Sequence, residues 1–307
     1  MPGDAARFVH IVDDVPELLE AAGGAVRPVL IFVLDGFLDA GNATRIAVEH
    51  LQESHPGRVV ASFDIDAFYD YRARRPAMTF REHHYTDYAA PRLVVRVCSD
   101  DLGAPYLLMS GPEPDTHWEA FATAVRHLVE HFDVRFTLAL GAVPMAVPHT
   151  RPVMITNHAT DPKLLLHENP WAGEIRIPSS AQSLLELRLG EWGHDAMGFV
   201  AHVPHYVAQF DYPEASLRLL ESAETATGLQ WDLSALEQRT EERRAEIAQQ
   251  IEDSDEVRSV VSGLEQQYDS FHTESDTLPL AGDRSLPTAD ELGAEFERFL
   301  AGLDGED

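Results

Sequence analysis

The stretch from Val29 to Asn42, Val-Leu-Ile-Phe-Val-Leu-Asp-Gly-Phe-Leu-Asp-Ala-Gly-Asn, constrains the fold more than any other. Val29 to Leu34 is an unbroken apolar run, rich in β-branched residues and too short for a typical helix. It fits a strand buried on both faces, as in the middle of a parallel sheet. Asp35-Gly36 breaks the run at what should be the carboxyl end of that strand. Ala40 to Leu51 then has helical spacing, with Ile46, Ala47, His50 and Leu51 on one side. A buried strand, a loop bearing Gly and Asp, and a helix make a βα unit, and open α/β sheets keep their ligand crevices at such loops.

The rest of the chain supplies more units of the same kind. Phe8 to Val12 is expected as a short strand and Val15 to Ala22 as a helix ended by Gly23-Gly24. Arg58 to Asp66 reads as a second strand, followed by an irregular Arg- and Tyr-rich segment through Tyr88, long enough for a functional or oligomer-facing loop. Arg92 to Cys98 and Tyr106 to Ser110 flank Asp101-Leu102-Gly103 as a hairpin or consecutive strands. Thr116 to Phe132 has Trp118, Phe121, Val125, Leu128 and Phe132 at helical spacing. Arg135 to Val143 is another buried strand, and Val153 to Thr156 is a short one. Ser179 to Leu189 reads as a helix ended by Gly190, and Ala196 to Val203 as a strand leading into His202-Val-Pro-His-Tyr206. Pro213 to Thr227 is a helix with Pro in its first turn and Gly228 just past its end. Strands alternating with helices predict a three-layer α/β core over residues 1–228.

From Leu229 the character changes. Ser234-x-x-Glu237 matches a capping box opening a long, charge-rich helix to Ile251, and a second helix runs from Glu256 to Phe271. Residues 229–271 therefore read as an antiparallel helical hairpin appended to the core. His272 to Pro287 reads as a linker, and Thr288-x-x-Glu291 opens a short amphipathic helix carrying Leu292, Phe296, Phe299 and Leu300. Such a helix has to dock on its own core or on a partner.

Composition narrows the function classes. With 52 Asp and Glu against 23 Lys and Arg, the net charge is -29, which repels nucleic acid and anionic lipid. Lys163 is the only lysine, and no Gly-x-x-x-x-Gly-Lys phosphate loop exists. No apolar run approaches the ~20 residues needed to span a bilayer, so no membrane insertion is expected. Met1 to Asp14 lacks the order of a signal peptide, and the single cysteine, Cys98, allows no intrachain disulfide. A cytoplasmic location is the expectation.

Three clusters are candidates for chemistry. Asp35, Asp39 and Asn42 lie in the loop after the organising strand, where a helix N-terminus favours an anion; the structural alternative is that Asp39 or Asn42 caps the helix while the glycines serve the turn. Glu113 and His117 follow Ser110-Gly-Pro, where they would act as base and partner or simply belong to a strand-to-helix turn capped by Asp115 or Thr116. His202 and His205 stand three apart across a proline, with no Cys or carboxylate at ligand spacing, so a metal is not expected. There is no Gly-x-Ser-x-Gly elbow, no dinucleotide glycine fingerprint after Leu34, and Cys98 lies mid-strand where burial would make it inert. Nothing amounts to a catalytic set, no cofactor is expected, and the residues lean away from an enzyme.

Taken together, Gly36-Phe-Leu-Asp-Ala-Gly-Asn42, the Gly111-Pro-Glu-Pro turn before Trp118, His202-Val-Pro-His-Tyr206 with Tyr212-Pro213, and Leu264-Glu-Gln-Gln-Tyr-Asp269 resemble the actinobacterial branch of the proteasome assembly chaperone 2 family. The likeness runs in order over roughly Val9 to Phe271. It implies an α/β core similar to the phosphorylase/hydrolase-like fold of purine nucleoside phosphorylases, and self-association with a trimer as the implied form. Eukaryotic and archaeal relatives act as assembly chaperones or proteasome-binding factors without chemistry of their own. A hydrophobic-Tyr-x ending often carries docking there, and this sequence closes on Leu303-Asp-Gly-Glu-Asp307 instead. The phosphorylase likeness is fold-level analogy and carries no activity.

Two expectations follow. The first is an oligomeric scaffold or assembly-chaperone-like protein that binds an unidentified protein partner through its surfaces. The alternative is a protein or enzyme that binds a nucleoside or another phosphate-bearing ligand, with Asp35, Asp39, Asn42, Glu113 and His117 lining a crevice and His202 and His205 nearby.

Overall fold

The structure is a computed structural model that describes residues 7–12, 14–19, 27–36, 38–167, 173–252 and 255–275. The organising run forms β2 (Leu30–Asp35) in the interior of an eight-stranded sheet. The others are β1 (Val9–Ile11), β3 (Arg58–Phe63), β6 (Val94–Ser99), β7 (Pro105–Pro112), β8 (Thr137–Met145), β9 (Ile155–Ala159) and β10 (Ala196–Pro204), in the order β1-β3-β6-β7-β2-β8-β10-β9. The four strands β7, β2, β8 and β10 are mutually parallel, and β1, β3, β6 and β9 extend the sheet by antiparallel pairing.

The absence of a polar face on β2 is explained by what covers it. Leu30, Phe32 and Leu34 point into one core with α1 (Pro16–Leu19), α4 (Trp118–His131) and α5 (Ala181–Glu191). Val29, Ile31 and Val33 point into the other, with α2 (Ala43–Ser54) and α6 (Pro213–Thr227). This is the expected three-layer α/β architecture. Leu30, Ile31 and Phe32 lose all contact with water, each burial being worth about 1.5–3 kcal/mol.

Several expected elements shift at their ends. Residues 58–66 do not continue as one strand: β3 stops at Phe63, and α3 (Ile65–Phe68) turns Phe68 into a ring cluster with Phe8, Phe63 and Phe121. Helix α5 passes through Gly190 instead of ending there. A Cβ at Gly190 would come within 2.8 Å of the Thr160 methyl, so this glycine serves helix-to-strand packing, while Gly193 takes the left-handed turn at φ +80°. The irregular segment after α3 contains a separate two-stranded ribbon, β4 (Thr79–Arg81) paired with β5 (His84–Thr86).

Beyond α6, the connection Leu229–Leu233 is drawn onto the core by Trp231 and by Asp100, whose buried carboxylate accepts from the Gln230 amide at 2.9 Å. At the start of helix α7 (Ser234–Glu252), where a Ser234 capping box is expected, the Glu237 amide donates to the Leu233 carbonyl at 3.0 Å and the carboxylate of Asp232 accepts from the Ser234 amide at 3.0 Å. Ile247 of α7 joins the same core cluster as Trp231. Helix α8 (Asp255–Ser275) runs four residues past the expected end at Phe271, and its Tyr268 hydroxyl donates to the Pro152 carbonyl at 3.2 Å. The chain forms two compact units, residues 1–268 and 269–307. The tail helix expected from Thr288 lies outside the described residues.

The α6–α7 contact rests on a buried charge. Glu214 is 3% exposed and accepts from the Tyr212 hydroxyl at 3.0 Å and from Arg244 at 2.8 and 3.2 Å. Removing the cation leaves a buried carboxylate with one neutral donor. Arg244 is itself partly solvated, which reduces the effect. Arg244→Ala should therefore lower the unfolding free energy by about 1–3 kcal/mol in urea titration, and Arg244→Lys should recover part of it.

Candidate functional site

Because β2, β7, β8 and β10 are parallel, their carboxyl ends share one edge: Asp35 lies opposite Pro112, and Pro204 lies opposite Met145. The loops carrying the candidate residues leave this edge, and His202 lies near the end of β10 itself. Their side chains are mostly engaged in holding those loops.

After β2 the chain makes a 3-10 turn at Ala40–Asn42 before α2. The Asp39 carboxylate accepts from the Thr44 amide at 2.9 Å and the Arg45 amide at 3.1 Å, satisfying free N–H groups at the start of α2. Burial pushes this carboxyl above its usual range, against the lowering by those two amides. Gly41 adopts φ +68°, and a Cβ there would meet the Cβ of Tyr212 at 2.7 Å. That close approach permits two backbone hydrogen bonds, Gly41 N to the Ala208 carbonyl and Tyr212 N to the Gly41 carbonyl, both 2.8 Å. Asn42, left-handed at φ 50°, makes no helix cap; its amide donates to Asp211 at 2.7 Å, and Arg45 reaches the same carboxylate at 2.8 Å. The loop after β10 is thus clasped to the loop after β2.

Glu113 serves a second clasp. Its carboxylate accepts from the Ala181 amide at 2.6 Å, at the N-terminus of α5 where the helix favours a negative charge. It lies so close over Gly36 that a Cβ there would be 2.5 Å from Glu113 Oε2. The Glu113 amide donates to the Asp35 carbonyl at 3.0 Å, and the Asp35 side chain is exposed. Arg74, reaching in from the irregular segment, donates to the carbonyls of Asp35 and Glu113 and pairs with Asp115 at 2.8 Å. His117, left-handed at φ 57°, places Nδ1 3.0 Å from the Ala67 carbonyl; since a carbonyl only accepts, Nδ1 carries the proton.

The two remaining histidines point to different surroundings. His202 Nε2 lies 2.8 Å from the Thr156 hydroxyl, and burial pushes its pKa down. His205 is exposed and meets the Tyr206 ring edge-on at 5.4 Å. Tyr206 instead engages His149, with its hydroxyl 2.8 Å from both the amide and Nδ1 of that residue; burial pushes the phenol up to about 12. Among the described residues no three His, Cys, Asp or Glu side chains gather as a metal set. Cys98 is buried, and burial pushes its thiol up to about 11. A shallow hollow of about 380 Å³ lies elsewhere, lined by Met154, Ile155, His167, Arg218 and Glu221 among others.

Backbone hydrogen bonds therefore join Asp35 with Glu113 and Asp39 with Asn42, while His117 bonds to Ala67 and His202 to Thr156. Sequence reasoning missed Arg74, Asp211 and Arg45 as the partners that tie these loops. The Arg- and Tyr-rich character of residues 69–88 was the available signal for Arg74.

A family model described as the PAC2 family matches residues 33–251. The chain belongs to the PAC2 family. Among proteins with curated descriptions, none matches the sequence. A Mycobacterium tuberculosis protein of unknown function is 44% identical, with a TM-score of 0.81 over 87% of this chain and 92% of that one. A Corynebacterium glutamicum protein of unknown function is 38% identical, with a TM-score of 0.81 over 86% and 97%. A Mycobacterium tuberculosis proteasome-assembly chaperone homologue is 27% identical, with a TM-score of 0.67 over 76% and 99%. The PAC2 resemblance drawn from the motifs thus holds, with actinobacterial neighbours.

Two measurements test the clasps and the histidines. Asp39→Ala should cost about 0.5–2 kcal/mol in thermal or urea unfolding, as expected when an acceptor for helix-start amides is lost. The pKa values of His149 and His202 are held down by burial, so the unfolded chain binds more protons below its ordinary histidine pKa. Stability should be full near pH 7 and fall as pH drops through about 6.5 towards 5, with a shallower fall in His202→Gln, read as urea midpoints across that range.

Proposed function

We propose that this PAC2 protein is a non-catalytic, assembly-chaperone-like protein that works in the cytoplasm as a homo-oligomer, a trimer being the favoured form, and acts on a protein partner through its surfaces. The observation that carries this reading is the bonding at the carboxyl edge. Asp39, Asn42 and Glu113 each hold a loop or a helix start, and His117 holds a backbone carbonyl, which favours a fixed surface over ligand capture. The same edge presents apolar side chains to water. Leu38 and Phe210 are 46% and 59% exposed, and Ile175 and Ile177, in the segment before α5, are 63% and 69% exposed. Exposed apolar groups on a fixed frame suit protein recognition. No helix among the described residues is long and apolar enough to cross a membrane.

The relative named as a proteasome-assembly chaperone homologue suggests proteasome subunits as the partner class. Purified protein should be mixed with unassembled proteasome α and β subunits from the same organism, and assembly followed by native electrophoresis. The expected result is a complex with α subunits or a faster appearance of assembled particles, weakened by Phe210→Ser. Unchanged assembly kinetics and no complex at micromolar concentrations would contradict the proposal.

A further inference from the structure

Four consecutive residues in the connection between β8 and β9 are held from two sides. His149 faces inward and is 8% exposed. Its amide donates to the Tyr206 hydroxyl oxygen at 2.8 Å, and its Nδ1 lies 2.8 Å from the same oxygen. With the amide donating to that oxygen, the phenol proton is directed at Nδ1, the bare nitrogen of a neutral imidazole. The next three residues hold α8. Thr150 donates its hydroxyl to Glu265, Arg151 pairs with Glu265 at 3.3 Å, and the Pro152 carbonyl accepts from the Tyr268 hydroxyl at 3.2 Å. Over residues 258–268 of α8, Val261 is buried, Leu264, Glu265 and Tyr268 are half-buried, and the rest are exposed. So little apolar burial leaves this helix dependent on its polar bonds.

A proton on Nδ1 undoes this arrangement. It reverses the bond to Tyr206, so that the oxygen receives two donors and the phenol proton is turned away from its acceptor. It also places a cation where water does not reach, and both changes are costly. Glu214 of α6, Arg244 of α7 and Glu265 of α8 face the His149 ring, and Tyr212 and Glu265 lie near the Tyr206 phenol. Both carboxylates are already bonded to arginines, Glu214 to Arg244 at 2.8 Å and Glu265 to Arg151. An imidazolium here therefore gains little counter-charge, and moving residue 149 towards water relieves it. The residues that would move with it are the ones that hold α8.

We propose that His149 is an acid-sensitive latch, whose protonation breaks the bond to Tyr206 and frees α8 from residues 150–152 while the sheet stays folded. Burial holds the His149 pKa down while α8 is seated, and release returns it to an ordinary value of about 6.5. The seated form is therefore fully favoured above that pH and loses ground as pH falls below it. The latch is independent of the partner proposed above.

Hydrogen–deuterium exchange of the full-length protein at pH 7.5 and pH 5.5, corrected for the intrinsic effect of pH, reads the seat of α8 directly. The expected result is exchange of the residue 258–268 amides up to about ten-fold faster at pH 5.5, the limit for one histidine taken a unit below its ordinary pKa. Amides of β2 and β8 should keep their protection. His149→Gln, shown to be folded by circular dichroism, should exchange α8 equally at both pH values. Tyr206→Phe removes the same bond from the other side; it should show fast α8 exchange already at pH 7.5 with little further rise, and it decides alone if His149→Gln does not fold. Equal corrected exchange at both pH values in the parent overturns the latch, as does loss of β2 and β8 protection together with α8. A folded variant of either kind that keeps the parent's full acid response overturns it too.

Discussion

A six-residue strand with no polar face can exist only between two hydrophobic layers, and this requirement on β2 sets the architecture. Its alternate residues seed two separate cores, one under α2 and α6 and the other under α4 and α5. Once β2 is central, its neighbours β7 and β8 run parallel to it, and the carboxyl ends of four strands meet along one edge. The candidate residues lie in loops leaving that edge, except Asp35, the last residue of β2, and His202, which is in β10 itself.

The carboxyl edge is finished by bonds between its own loops. The Gly41–Tyr212 backbone clasp and the Asn42–Asp211–Arg45 group close the loops after β2 and β10 against each other. Glu113 closes the loop after β7 onto the start of α5. Arg74 then lays the residue 69–92 segment over Asp35 and Glu113. Asp39, Asn42, Glu113 and His117 have hydrogen-bond partners inside the chain. Leu38, Phe210, Ile175 and Ile177 stay exposed beside these bonds.

Much of this was legible in residues alone. The βα unit around Asp35 was readable because burial on both faces leaves an unmistakable apolar run, and α6 is bounded as expected because Pro213 and Gly228 mark helix ends by backbone geometry. Of the family motifs, the first two supply Gly41, Asn42 and Glu113 to the edge bonds, whereas His202 bonds Thr156 and the Leu264 motif lies in α8. Where local reading failed, a distant partner had decided the outcome. Gly190 looked like a helix stop, but it makes room for Thr160, thirty residues earlier in the chain. Residues 65 and 66 looked like strand until Phe68 found its ring cluster. Asp211 gave no local pattern, and Arg74 only the Arg- and Tyr-rich character of its segment, since their roles depend on loops brought together by the sheet.

The central claim is that the carboxyl edge is a self-bonded surface instead of a ligand crevice. Native mass spectrometry of the protein, purified gently from its own organism, tests this most directly. The account predicts species at whole multiples of the chain mass, with any added mass due to protein. A stoichiometric small-molecule adduct that is released on denaturation, and is lost in Asp39→Ala or Glu113→Gln while the fold persists, would contradict it.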